Sequence, residues 1–183
     1  LPGNVELFEN SKLISWKKYN GKIICYFEKN TIETSKIIFC TNGYLSKQGI
    51  KSRYNFPLVL TASMTRELTN EEYDSIGKPK EWGVLPVRPM GATIRMTKDK
   101  RILIRNTAEI IKKTNNNNKF LRDRKKLHEI GIYKRFPTLQ KNIIESTWSG
   151  IVCRSGNSSQ IFEKIDDNIF VAGCYNGSGI GVG

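Results

Sequence analysis

The chain has 183 residues, 38% of them hydrophobic, and carries a formal net charge of +13. It holds no run of 18 apolar residues, which excludes a membrane-crossing helix at the level of sequence. Four cysteines without a CxxC, beside a single histidine, argue against a structural zinc site and fit buried thiols in a reducing cytoplasm.

The chain opens on LPGNVELFEN and ends inside a glycine-rich stretch, so it reads as a piece of a longer protein. VELF, KLISW, KIICYF and IIFC are short β-branched or aromatic runs and are expected to be strands. Asn20-Gly21 marks a tight turn between two of them. IIFC, Ile37 to Cys40, is continuously apolar and is expected to be buried on both faces before the turn TNGY. PLVLTASMTREL, Pro57 to Leu68, is a longer strand. NEEYDSIG is a short helix capped by Asn70 and ended by Gly77. EWGVLPVRPMG is broken by prolines. ATIRM and RILIRN form a hairpin around Lys98 to Lys100, and TNNNNK is a flexible connector. A basic helix follows in KFLRDRKKLHEIGIYKR, with seven basic residues against two acidic ones, and Pro137 ends it. Phe120, Leu121, Leu127 and Ile130 would form its apolar stripe and His128 would lie on its surface. IIESTWSGIVC and NIFVA complete the strands. The fold class is therefore α+β with a mainly antiparallel sheet.

Chemistry concentrates at the end, in NIFVAGCYNGSGIGVG. A buried strand running into glycines brings backbone N–H groups close to a ligand's oxygens, which suits phosphate or a delocalised anion. The run does not complete G-x-G-x-x-G, because Val182 stands at the sixth position. A turn-forming loop without a ligand is the plain alternative. Nucleophile elbow and P-loop motifs are both absent. Asp166–Asp167 reads as a turn, and Trp82 and Trp148 as packing residues or pocket walls. The basic helix is a solvated surface or, as a sharper alternative, a nucleic-acid contact.

Several phrases together resemble the FAD-dependent amine and amino-acid oxidoreductases, the family of D-amino-acid oxidase, glycine oxidase and sarcosine oxidase. TIETSKIIFCTNGY resembles the polar turn, buried strand and A-x-N-G-Y/W that close its nucleotide-binding half. ATIRMTKDKRILIRNT resembles its substrate-domain hairpin, with Arg105 where Gly is common. RFPTLQKNIIESTWSG resembles its P-x-L…W-x-G passage, and IFVAGCYNGSGIGVG its late strand and flavin loop. The phrases stand in the family's order.

The resemblance implies an α+β fold: an antiparallel substrate-domain sheet with helices, plus the closing strands of a Rossmann-like FAD-binding domain. Residues 1–45 would close the FAD-binding domain, 46–150 would form the substrate domain, and 151–183 would return to the flavin. The N-terminal ADP-binding unit and the C-terminal helix would lie outside this chain, leaving it inactive alone. The implied cofactor is FAD, contacted by Asn42, Gly43, Gly173, Asn176, Gly177, Ser178, Gly179 and Ile180. The implied reaction is oxidation of a CH–NH or CH–NH2 donor, with oxygen or a separate electron acceptor as oxidant. Arg88, Arg95 and Arg154 are the candidate clamps for a substrate carboxylate. Cys153 lies out of register for covalent flavin attachment. No nucleic-acid partner and no membrane span are implied, and the location is cytoplasmic. Two other classes stay open: a non-catalytic ligand-binding or interaction domain of the same fold, and a basic nucleic-acid-binding module.

Overall fold

The structure is a computed structural model that describes residues 3–87, 91–110 and 117–177. Its contacts divide the chain into two compact units, one formed by residues 1–56 and 153–183 and the other by residues 57–152.

The first unit begins with a three-stranded meander, β1 (Leu13–Tyr19), β2 (Lys22–Phe27) and β3 (Thr31–Thr34). Tyr19 pairs with Lys22, so Asn20 and Gly21, with φ of 48° and 74°, form the expected two-residue turn. Both positions need the left-handed region, which glycine and asparagine enter at least cost. β4 (Ile37–Phe39) leads into a 3-10 helix over Asn42–Gln48, where the sequence suggested only a turn. The second part of this unit supplies β10 (Ile161–Asp166) and β11 (Ile169–Gly173), which form an antiparallel hairpin. β11 also pairs with β4 in parallel, Ile169 with Ile37 and Val171 with Phe39. Ile23, Cys25, Phe39, Leu45, Val171 and Cys174 belong to one buried cluster. Trp16 packs on Phe39, with ring centroids 5.4 Å apart, and its indole N–H donates to the Gln48 carbonyl.

Four expectations fail here. VELF is not a strand: alternation splits its apolar residues between two faces, and Leu7 and Phe8 are 71% and 67% exposed. β4 is buried on one face only, since Phe39 is 2% exposed but Ile38 is 64%. Cys40 is exposed while the other three thiols are buried. TIET, read within a polar turn, is β3 itself and pairs with β2.

The second unit is built on a five-stranded sheet in the order β6-β7-β8-β5-β9. Its strands are β5 (Asn55–Thr65), β6 (Trp82–Val84), β7 (Thr93–Met96), β8 (Ile102–Ile110) and β9 (Ile144–Ser155). β5 and β9 carry the chain out of and back into the first unit. The expected hairpin closes with Met96 opposite Ile102, and Lys100 takes φ 55° in its turn.

Helix α1 (Asn70–Ser75) starts one residue earlier than expected, because Thr69 and not Asn70 is its cap. The Thr69 hydroxyl accepts from the Glu72 N–H, and the Glu72 carboxylate accepts from the Thr69 N–H. This reciprocal box satisfies two donors that a helix start leaves open. Arg66 donates two bonds to the same carboxylate at 2.7 and 2.9 Å and holds it below the usual range.

Helix α2 (Asn118–Tyr133) is capped by the side chain of Asn117, so the asparagine run is partly the helix start and not only a connector. It lies on the sheet by a face other than the expected stripe. Leu127 and Ile130 are 41% and 52% exposed, whereas His128, Gly131 and Ile132 are buried. Gly131 permits the approach, since a Cβ there would come within 2.8 Å of Ile104 Cδ1.

His128 fixes the rotation of the helix. Its Nδ1 lies 2.7 Å from the Ser63 hydroxyl, which lies 2.7 Å from the Thr147 hydroxyl. The side chain is fully buried, not on the surface. Burial, and then the nearby Arg124 guanidinium, lower its pKa to about 4. The unfolded chain, with an imidazole near its ordinary value, takes up a proton first as pH falls. The neutral imidazole therefore supports the fold fully above about pH 6.5, and this support declines as pH falls toward 4, by about 3 kcal/mol in all. Thermal denaturation across that window should show a falling Tm, and His128→Gln should flatten the slope. An equally steep slope in the variant would assign the effect to other groups.

Candidate functional site

β4 and β11 are parallel neighbours, so both leave the sheet at the same edge. The carboxyl edge of parallel strands is where open α/β sheets bind ligands. Asn42-Gly43 follows β4, and Cys174 to Gly177 follows β11. Asn42, at φ 41°, turns its side chain so that Oδ1 accepts from the Cys174 N–H at 3.0 Å. Gly173 allows this approach: a Cβ there would stand 3.0 Å from Leu45 Cδ1 and 3.4 Å from Asn42 Cα.

The second loop is held from one side by a polar clasp. Asn176 Oδ1 accepts from the Ser155 N–H at 2.9 Å, and its amide nitrogen reaches the Ser158, Ser159 and Cys174 carbonyls at 3.1 Å each. Arg154 Nη1 donates to the Asn176 carbonyl at 2.9 Å. Cys174, Asn176 and Gly177 all have positive φ, at 54°, 54° and 94°. Left-handed residues turn the backbone sharply here, and tight turns of this kind are where backbone N–H groups can face an anion. Beyond the turn, Gly177 is exposed, and a Cβ there would meet nothing within 4 Å.

The cysteines beside this loop are not poised for reaction. Cys153 and Cys174 are both fully buried. Burial, and the neighbouring Cys174, push the Cys153 thiol up to about 12. At neutral pH it is a protonated packing group, not a nucleophile.

The residues present suit a flavin. Neither loop, Thr41 to Leu45 or Gly173 to Gly177, contains a carboxylate, and a guanidinium stands behind the second. Such a lining favours the negative charge that a flavin ring gains on reduction.

Of the residues singled out from sequence, Asn42, Gly43, Gly173, Asn176, Gly177 and Arg154 come together in the first unit. Ser178, Gly179, Ile180 and Arg88 lie outside the described residues. Arg95 belongs to the second unit, exposed on β7 with its side chain along Gly83. Ser155 was not foreseen, although a Ser-Gly-Asn-Ser-Ser run is an evident turn signal. Arg105 was noted only as a departure. It stands half-buried on β8, between Ala62 of β5 and Thr93 of β7, and donates to the Thr93 hydroxyl at 2.6 Å.

Comparison with known proteins gives the same family as the motifs. The model of the FAD dependent oxidoreductase (DAO) family matches residues 3–183. Glycine oxidase from Geobacillus kaustophilus superposes with a TM-score of 0.64 at 12% identity, over 92% of this chain and 43% of its own. L-proline dehydrogenase from P. horikoshii does so with 0.63 at 18% identity, over 92% and 45%. L-α-glycerophosphate oxidase from Mycoplasma pneumoniae, a structure with FAD bound, gives 0.62 at 13% identity, over 90% and 44%. The chain thus spans less than half the length of these structures. No curated protein sequence matches it significantly. Among the described residues no helix is long and apolar enough to cross a membrane. The mostly antiparallel fold, the paired glycine loops and the match over residues 3–183 agree: the chain belongs to the DAO family of FAD-dependent oxidoreductases, whose cofactor is FAD.

Proposed function

We propose that the protein carrying this chain oxidises the C–N bond of an amine or amino acid. The observation that carries this reading is the joined pair of carboxylate-free loops at the edge of β4 and β11, tied by Asn42 and Cys174. Glycine oxidase and L-proline dehydrogenase, by their names, act on such bonds, and both share this fold. When bound, FAD would accept a hydride from the carbon bearing the amine, leaving an imine that water hydrolyses.

The chain's own residues have separable roles. Asn42, Gly43, Gly173, Asn176 and Gly177, with Ser178, Gly179 and Ile180 beyond them, are assigned to the flavin. Asn42 holds the Cys174 amide, so the second loop is ordered before any ligand arrives. Asn176 and Arg154 fix the far side of that loop and add positive charge behind its backbone. Donors fixed in advance need no reorganisation when charge develops, which is where their stabilising effect is greatest. Segments 1–45 and 151–183 take the flavin side of this scheme. Segment 46–150 takes the substrate side, with Arg88 and Arg95 as carboxylate ligands. Arg154 already has the Asn176 carbonyl as a partner, and its remaining N–H groups are the ones assigned to a carboxylate. Oxygen or a separate electron acceptor takes the electrons onward. The working location is the cytoplasm, with no nucleic-acid partner.

The full-length protein should be yellow as purified, with both flavin bands, and one member of a panel of amines and amino acids should bleach them without oxygen. A colourless protein that refuses added FAD would leave a binding domain of this fold. Asn42→Ala should weaken FAD affinity about tenfold, roughly one hydrogen bond's worth. Asn176→Ala should lower apoprotein stability by about 1–3 kcal/mol, since it leaves the 155–159 turn unsatisfied. Flavin affinity and stability both unchanged would overturn the placement of this loop.

A further inference from the structure

The five-stranded sheet of the second unit has two unlike faces. On one face Thr61, Ser63 and Thr65 of β5 are buried, and α2 reaches Ser63 through His128. Alternation turns the intervening residues, Ala62 and Met64, to the other face, together with Leu103 and Arg105 of β8 and Thr93 and Arg95 of β7. Across β7, β8 and β5 this second face is largely apolar around its two arginines and one threonine, and β9 adds Ser146 and Trp148.

Several arginines of this unit have acidic partners, although Arg122 and Arg135 have none among the described residues. Arg66 pairs with Glu72, Arg124 with Glu109, and Arg101 with Asp99 and Glu145. Among the described residues, Arg95 and Arg105 have none, and stretches 88–90 and 111–116 contain no acidic residue that could serve. Arg95 stands opposite Leu103, on the diagonal from Arg105, with its side chain along Gly83 of β6. A half-buried guanidinium without a counter-ion, such as that of Arg105, is disfavoured.

Thr93 orients the Arg105 fork through one nitrogen, Nη2. The donors left over match a carboxylate in a bidentate pair, and the aliphatic neighbours strengthen such a pair by excluding water. We propose that Arg105, oriented by Thr93, is the principal anchor for a substrate carboxylate, with Arg95 as the second cation. The substrate class is then an amino or imino acid and not an uncharged amine. This inference rests on the reading that this unit carries the substrate contacts.

The test uses the full-length protein with benzoate as probe and benzamide as its uncharged counterpart, followed by thermal shift and by tryptophan fluorescence. Benzoate should stabilise the wild type and benzamide should not. Arg105→Met should weaken benzoate about 30-fold or more. Arg105→Lys, which keeps the charge and the packing but loses the planar fork, should weaken it about tenfold. Thr93→Val should weaken it severalfold, and Lys98→Met, in the exposed hairpin turn, should not change it.

The visible flavin spectrum of the same samples separates the two levels of the argument. A flavin-loaded protein whose benzoate affinity ignores Arg105→Lys and Thr93→Val would sink this inference alone. A colourless protein that still binds benzoate through Arg105 would keep the anion site and remove the oxidoreductase reading. No benzoate binding by the wild type, or displacement of benzoate by equal inorganic phosphate, would overturn the carboxylate assignment.

Discussion

The parallel pairing of β4 with β11 is the contact on which the site depends. It joins segments far apart in the chain, since Asn42 and Cys174 are 132 residues apart. Parallel neighbours cannot be joined by a tight turn, so the chain between them must leave and return. Residues 57–152 use that excursion to build a unit with its own buried cluster. The entropy of closing a loop rises only slowly with its length, so a self-folding insertion costs the pairing little. Ile37, Phe39, Ile169 and Val171 then supply the apolar contacts that hold the ladder, and the two loops emerge side by side as a consequence.

Inside the second unit a different constraint operates. The interior strand β5 buries hydroxyls where aliphatic residues would be the common choice. Each has a partner: Thr65 Oγ1 accepts from the Ile102 N–H at 2.9 Å, Thr61 meets Thr107, and Ser63 meets His128 and Thr147. A buried polar group that is satisfied specifies one arrangement, because shifted alternatives leave it unpaired. That explains why α2 rotates away from its apolar stripe. Leaving Leu127 and Ile130 in water forgoes some burial, while the His128–Ser63 bond and the close seat at Gly131 fix a single helix register.

The legible parts of the sequence were those governed by neighbours along the chain. Asn20-Gly21, the hairpin through Lys98–Lys100 and the helix stop at Gly77 follow from local turn chemistry. The Thr69 cap was equally legible, since threonine followed three residues later by Glu72 spells the reciprocal box. His128 was not. Periodicity along α2 cannot reveal that the opposing strand carries hydroxyls in place of aliphatics. β4 looked buried on both faces because three apolar residues in a row carry no alternation to break the tie. Family membership was legible for another reason: each phrase was weak alone, but their order was not.

Charge placement follows the same rule in each part of the chain. A net charge of +13 spread evenly would attract anions without choosing among them. Here Glu72, Asp99, Glu109 and Glu145 of the second unit are drawn into pairs, while the flavin-side loops contain no acidic residue. Among the described residues, Arg154 meets a carbonyl of the glycine loop and Arg105 a hydroxyl, and neither has an acidic partner. A carbonyl or hydroxyl orients a guanidinium without neutralising it, so its field remains directed at whatever docks beside it. In the proposed reaction two negative charges matter, one developing on the acceptor and one permanent on the substrate carboxylate. On that proposal, a cation that is positioned but not neutralised can serve each of these charges, which a uniform excess of surface lysine would not.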